Sequence, residues 1–179
     1  WSIASFALDA LAIAAQGLVA VALGAEKTLL LRRLIKTLSL WGLGASAALG
    51  VAVAVSSPWL PYLFGTDQAM RQAASSALLA AGILMPIAGL VFILDGVLIG
   101  AGQGKYLATS GVITLLGYLP ALGALHFWID AEHPSQAAAL TLLWVAFSGW
   151  FMLLRAAANA WRTWGGLVRR GQILGLPTH

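Results

Sequence analysis

Cysteine is absent from the 179 residues, and charged residues make up only 9% of them. The first absence excludes disulfides, thiolate catalysis and cysteine-based metal sites, and it leaves the redox compartment open. The second excludes an ordinary water-soluble globule, whose charged fraction is about 25%. Too few polar side chains remain to coat a folded surface in water. The net charge of +4 is no nucleic-acid signature either, because the few basic residues lie in short connections. A histidine pair at membrane depth and a supported serine–base arrangement are also missing, so nothing favours an intramembrane enzyme.

What is present is apolar. Hydrophobic residues reach 60%, and the mean hydropathy is +0.89. A membrane helix needs about 20 apolar residues to cross roughly 30 Å of hydrocarbon. Five stretches meet that need: about Ile3–Leu23, Thr37–Val55, Ala73–Ala101, Tyr106–Phe127 and Ala137–Ala157. Turn chemistry separates them at Gly24-Ala25-Glu26-Lys27, Ser56-Ser57-Pro58, Gly65-Thr66-Asp67, Gly102-Gln103-Gly104-Lys105 and Asp130-Ala131-Glu132-His133-Pro134. The expected fold is all-α, a polytopic membrane helix bundle, closed by a basic tail over residues 158–179.

Charge gives the orientation. Lys27, Arg32, Arg33 and Lys36 crowd the first connection, and Lys105 stands in the third. Arg155, Arg162, Arg169 and Arg170 come at the end of the fifth stretch and beyond it, whereas the fourth connection holds Asp130 and Glu132 and no base. The positive-inside rule puts the first and third connections and the C-terminus in the cytoplasm. Glu26–Lys36, with Leu29, Leu30, Leu31, Leu34 and Ile35 among its charges, would suit a short interfacial helix. Trp59, Tyr62 and Trp128 fit an outer aromatic belt, and Trp41, Trp161 and Trp164 an inner one. An outer N-terminus that begins in mid-helix predicts at least one preceding helix, making the chain the C-terminal part of a larger membrane protein.

Asp95 is the residue that most needs explaining. A carboxylate at bilayer depth costs roughly 2.5–3.5 kcal/mol on insertion scales, so it is ordinarily kept for a partner or a pathway. It lies about seven residues before the inner end of its helix, roughly 10 Å in at 1.5 Å per residue. The sequence offers no basic residue in the same membrane layer as a permanent partner. Asp95 therefore reads as a cavity-facing acid that binds a cation or exchanges a proton, the alternative being a structural acid bonded to a neighbouring helix. Asp9 and Gln16, seven residues apart, share a helix face and read as a polar cavity lining or an interhelical contact, with Asp9 in the outer half. Pro86 removes a backbone hydrogen bond in mid-helix, either a hinge or a static bend. Gly96 and Gly100 form a small-xxx-small pair beside Asp95, and Gly42, Ser46 and Gly50 form another, both suited to close helix packing. His126, Asp130 and His133 match no metal-ligand spacing, and Gly100-Ala101-Gly102-Gln103-Gly104 is a turn after a membrane helix, not a phosphate loop. No metal and no cofactor enters this reading.

Two phrases resemble a known family. Phe6-Ala7-Leu8-Asp9-Ala10-Leu11-Ala12-Ile13-Ala14-Ala15-Gln16-Gly17-Leu18-Val19, closed by Leu23-Gly24-Ala25, is one. The other is Val91-Phe92-Ile93-Leu94-Asp95-Gly96-Val97-Leu98-Ile99-Gly100-Ala101-Gly102 followed by Lys105-Tyr106-Leu107-Ala108. Together they resemble the multidrug and toxic compound extrusion (MATE) transporters, most closely their DNA-damage-inducible F (DinF) branch, and the resemblance spans essentially the whole chain. It implies the last five of twelve helices, five of a six-helix lobe, in a cell membrane with a cytoplasmic C-terminus. It also implies a secondary antiporter that exports small organic, often cationic, molecules against inward proton or sodium flow by rocking of two lobes. The first lobe, which carries the family's usual proton-coupling acid, is absent here. The chain departs from the family pattern at Met85 before Pro86, at Val21 and Glu26-Lys27, and at Gln103, where an acid is usual. A lipid-linked sugar flippase of the same superfamily would favour basic residues inside the cavity, and the helices look nearly free of them. A non-transporting membrane subunit, in which the acids only lock helices together, is the remaining alternative.

Overall fold

The computed structural model describes residues 1–25, 28–63, 65 and 67–168. Glu26 and Lys27 of the first connection, and Arg169 and Arg170 of the basic tail, lie outside the described residues. Five long helices run up and down in sequence order: α1 Ser2–Gly24, α2 Thr28–Ser56, α3 Gln68–Gly100, α4 Gly104–Glu132 and α5 Gln136–Val168. A 3₁₀ turn, Leu60–Leu63, joins α2 to α3. Each of the five is long and apolar enough to cross a membrane, and no strand occurs among the described residues. The protein is an all-α membrane helix bundle.

α3 is the central helix. Half of its most apolar stretch is buried, against 28% in α1, 22% in α2 and 11% in α4 and in α5. Lipid is as apolar as leucine, so burial of greasy surface does not drive such helices together; close packing does. The seams show how. A side chain at Gly96 would strike the backbone of Ala12, and one at Gly100 the backbone of Gln16, so α1 and α3 approach to backbone contact. Nearer the start of α3, Gly42, Ser46 and Gly50 of α2 interleave with its Gly82, Gly89 and Ile93. Pro86 stands within α3, which continues as helix on both sides of it. Having no N–H, it deprives the Gly82 carbonyl of its usual donor, and that oxygen lies where a Gly50 Cβ would be.

α3 starts five residues earlier and α4 ends five residues later than the sequence reading has them; two boundaries differ more, each for a reason of packing. α2 begins at Thr28, not near Thr37, because Leu31 and Ile35 pack into the core with Ala22 of α1 and Val97 of α3. The segment expected to lie in the interface is thus the first turns of a long helix. α5 continues to Val168, not to about Ala157, because Asn159, Thr163 and Leu167 recur on one buried face. Its winding is uneven. π-helical turns at Val145–Phe151 and Trp161–Val168 bracket the α-helical piece Met152–Ala160.

The connections obey local rules. Asp67 accepts from the N–H groups of Ala69 and Met70, both at 3.3 Å, and caps the start of α3; Ser135 caps α5 through the N–H of Ala138. At the other end of α3 the N–H of Gly102 reaches the Ile99 carbonyl at 2.9 Å and that of Gln103 the Leu98 carbonyl at 2.8 Å. This is a Schellman closure, and its left-handed residue is Gly102, φ 69°. The turn delivers Gln103 to the end of α5.

Candidate functional site

Asp95 lies five residues from the end of α3, on the side that meets α5. Nε and Nη2 of Arg155 donate to its Oδ2 at 3.3 and 3.0 Å, and Nδ2 of Asn159 donates to its Oδ1 at 2.7 Å. Arg155 and Asn159 are four residues apart on α5, so one helical turn presents both to one carboxylate. The sequence reading found no basic partner for Asp95; the structure supplies one. Arg155 stood at the very end of the expected fifth stretch; α5 runs on to Val168, which sets Arg155 well inside the helix and against α3. The pair is not sealed, with side-chain exposures of 22% for Asp95 and 26% for Arg155. Gly111 of α4 flanks the guanidinium.

Helix register moves Asp9 as well. α1 and α3 run parallel, with Ala12 against Gly96 and Gln16 against Gly100. The same register brings Asp9 level with Ile93, about 3 Å along the axis from the level of Asp95. Asp9 therefore does not occupy the opposite half of the bundle, as the sequence reading had it. No hydrogen bond or ion pair joins the two acids. Asp9 and Gln16 are both exposed on α1, and Asp9 forms no ion pair among the described residues. Asp9 and the Asp95–Arg155 pair thus lie at similar depth.

A second polar cluster closes the end of the bundle. Arg162 of α5 gives Nε and Nη2 to Oε1 of Gln103 at 3.1 and 2.6 Å, and its guanidinium lies 5.0 Å from the centre of the Tyr106 ring. The Tyr106 hydroxyl donates to the Ala158 carbonyl at 2.7 Å. α3, α4 and α5 are thereby tied at one point.

Arg155, Asn159, Arg162 and Tyr106 were not singled out as site residues from the sequence. A signal was there: Ser148, Arg155, Asn159 and Thr163 recur at helical spacing through an apolar stretch and mark one polar stripe. The loop group tested against metal-ligand spacing is a helix end. His126 lies 3.5 Å from Asp130 on the exposed last turns of α4, and His133 ends that helix with φ 44°. An apolar groove of about 420 Å³ between α4 and α5, lined by Ala121, Leu125, Val145 and Trp150 among others, contains none of the charged residues described above.

Comparison with known proteins agrees with this architecture. The family model described as MatE matches residues 1–122, a span that includes Asp9 and Asp95 and stops short of α5. "Protein DETOXIFICATION 44, chloroplastic" of Arabidopsis thaliana is 30% identical over 162 residues, which cover 90% of this chain and 29% of that protein. The chain thus spans under a third of the length of the curated relative it matches. No solved structure matches it significantly. With its acids on α1 and α3 inside the matched span, and with its helices packed on small-residue seams, the chain belongs to the MatE family.

Proposed function

We propose that the chain is a fragment, five helices of the six-helix C-terminal lobe, of a MATE-type secondary antiporter of the DinF-like branch. It exports small organic, often cationic, compounds in exchange for protons or sodium ions. The parent lies in the cell membrane with this chain's C-terminus in the cytoplasm. One observation carries the reading. Asp95 stands at bilayer depth in the central helix, paired with Arg155 yet partly open, with the acid Asp9 at a similar level. Acids at that depth can draw a cation, and lipid would penalise them unless they faced a polar passage. The orientation rests on the ends of the helices: Arg32, Arg33, Lys36, Lys105 and Arg162 gather at one end, whereas Asp67, Asp130 and Glu132 with the single base Arg71 stand at the other.

The test is Asp95→Asn in the full-length protein, with efflux of ethidium as readout. Efflux is expected to fall to background while membrane expression stays normal. Wild-type efflux would remove Asp95 from the mechanism.

A lipid-linked sugar flippase is the second reading, and Arg155 and Arg162 on α5 favour it, because a diphosphate needs basic groups within the bundle. It predicts loss of flipping on neutralising Arg162, whereas the antiporter reading predicts that ethidium efflux survives that change.

A further inference from the structure

Arg155 holds the place at Asp95 that a positively charged substrate would need. Both of its contacts fall on Oδ2, while Asn159 holds Oδ1, so both carboxylate oxygens are engaged. Both partners come from Met152–Ala160, the α-helical piece between two π-helical turns. A π-helical turn carries an extra residue, and such turns recur at functional sites in helices. Adding or removing one residue of winding rotates the adjoining piece of helix by about 100°. That motion would carry Arg155 and Asn159 off Asp95 together. The N–H of Met152 already reaches the carbonyl of Phe147, five residues back. An acceptor for the departing guanidinium is also at hand: Oδ1 of Asn159 is buried without a partner among the described residues, and so is Oγ1 of Thr163 one turn on.

We propose that Arg155 is a tethered counter-cation, which occupies the acidic site in the unloaded state and is exchanged for an organic cation during the cycle. The proposal rests on the antiporter reading above and adds the residue that sets the site's threshold for cations. Asp9, level with the site and without an ion-pair partner among the described residues, is the acid an incoming cation meets before the exchange.

The experiment is equilibrium binding of tetraphenylphosphonium to the purified full-length protein in lipid nanodiscs, for wild type, Arg155→Gln, Asp95→Asn and the double variant. Arg155→Gln is expected to bind on the order of tenfold more tightly. Asp95→Asn is expected to lose binding, and the double variant to match Asp95→Asn. If Arg155→Gln does not fold, Arg155→Lys takes its place. It keeps the charge without the two-pronged contact and is expected to bind several-fold more tightly than wild type. Unchanged or weaker binding by the folded arginine variant overturns the proposal. Unchanged binding by Asp95→Asn would instead sink the antiporter reading itself, so the two failures are distinguishable.

Discussion

Gly50 of α2 lies against the Gly82 carbonyl of α3, the oxygen that Pro86 leaves without its helical donor. Only hydrogen at Gly50 lets the helices come so near, and its Cα–H faces that oxygen as a weak donor. Gly50→Leu must push Gly82 and Met85 aside. The expected destabilisation is about 1–3 kcal/mol, read as a lower Tm in detergent. Gly44, on the same helix with nothing within 4 Å of its Cβ position, is the control. Gly44→Ala should leave Tm unchanged or raise it, because alanine is the better helix former by about 0.5–1 kcal/mol.

Breaking half of the Asp95–Arg155 pair should harm the fold more than removing both charges. Arg155→Gln strips the carboxylate of its charged donor, a loss of about 1.5–3 kcal/mol, less whatever water reaching the site returns. Asp95→Asn combined with Arg155→Gln leaves two neutral amides able to bond each other. The double variant is expected to melt above the arginine single variant. A double-mutant cycle on Tm checks this, and strict additivity would show that the pair is not coupled.

At the end of the bundle, Tyr106→Phe removes only the hydroxyl that bonds the Ala158 carbonyl. The ring beneath Arg162 remains. The expected cost is about 0.5–1.5 kcal/mol, measured by thermal melting. Tyr106→Ala, which also removes the ring, should cost more.

His133 ends α4 in the left-handed region, φ 44° and ψ 53°. A residue with a Cβ pays roughly 1 kcal/mol there, and glycine does not. His133→Gly is therefore expected to raise stability by up to about 1 kcal/mol. A lower Tm would mean that the imidazole itself holds the loop.

The sequence was readable where a signal repeats. Runs of about 20 apolar residues mark the helices regardless of packing. Small residues four apart mark the seams, as at Gly42, Ser46 and Gly50. Half of the site was legible for the same reason: Asp95 is conspicuous in an apolar run. Its other half was hidden by distance and by winding. Arg155 is 60 residues away in the chain, and on a sliding reading of hydropathy an arginine looks like the end of a helix. Nothing local shows that α5 carries it back into the bundle. Depth was misjudged in the same way. The relative level of Asp9 and Asp95 depends on the slide of α1 against α3, which Gly96 and Gly100 fix only once those helices are packed.

The central claim is that these acids face a polar passage, and thiol accessibility at position 95 tests it most directly. The chain brings no cysteine of its own, so within it Asp95→Cys reports a single site. Added to sealed vesicles holding the full-length variant, a membrane-impermeant methanethiosulfonate reagent should modify that cysteine from at least one side. Complete inertness from both sides, in a variant whose fold is intact, would contradict the account.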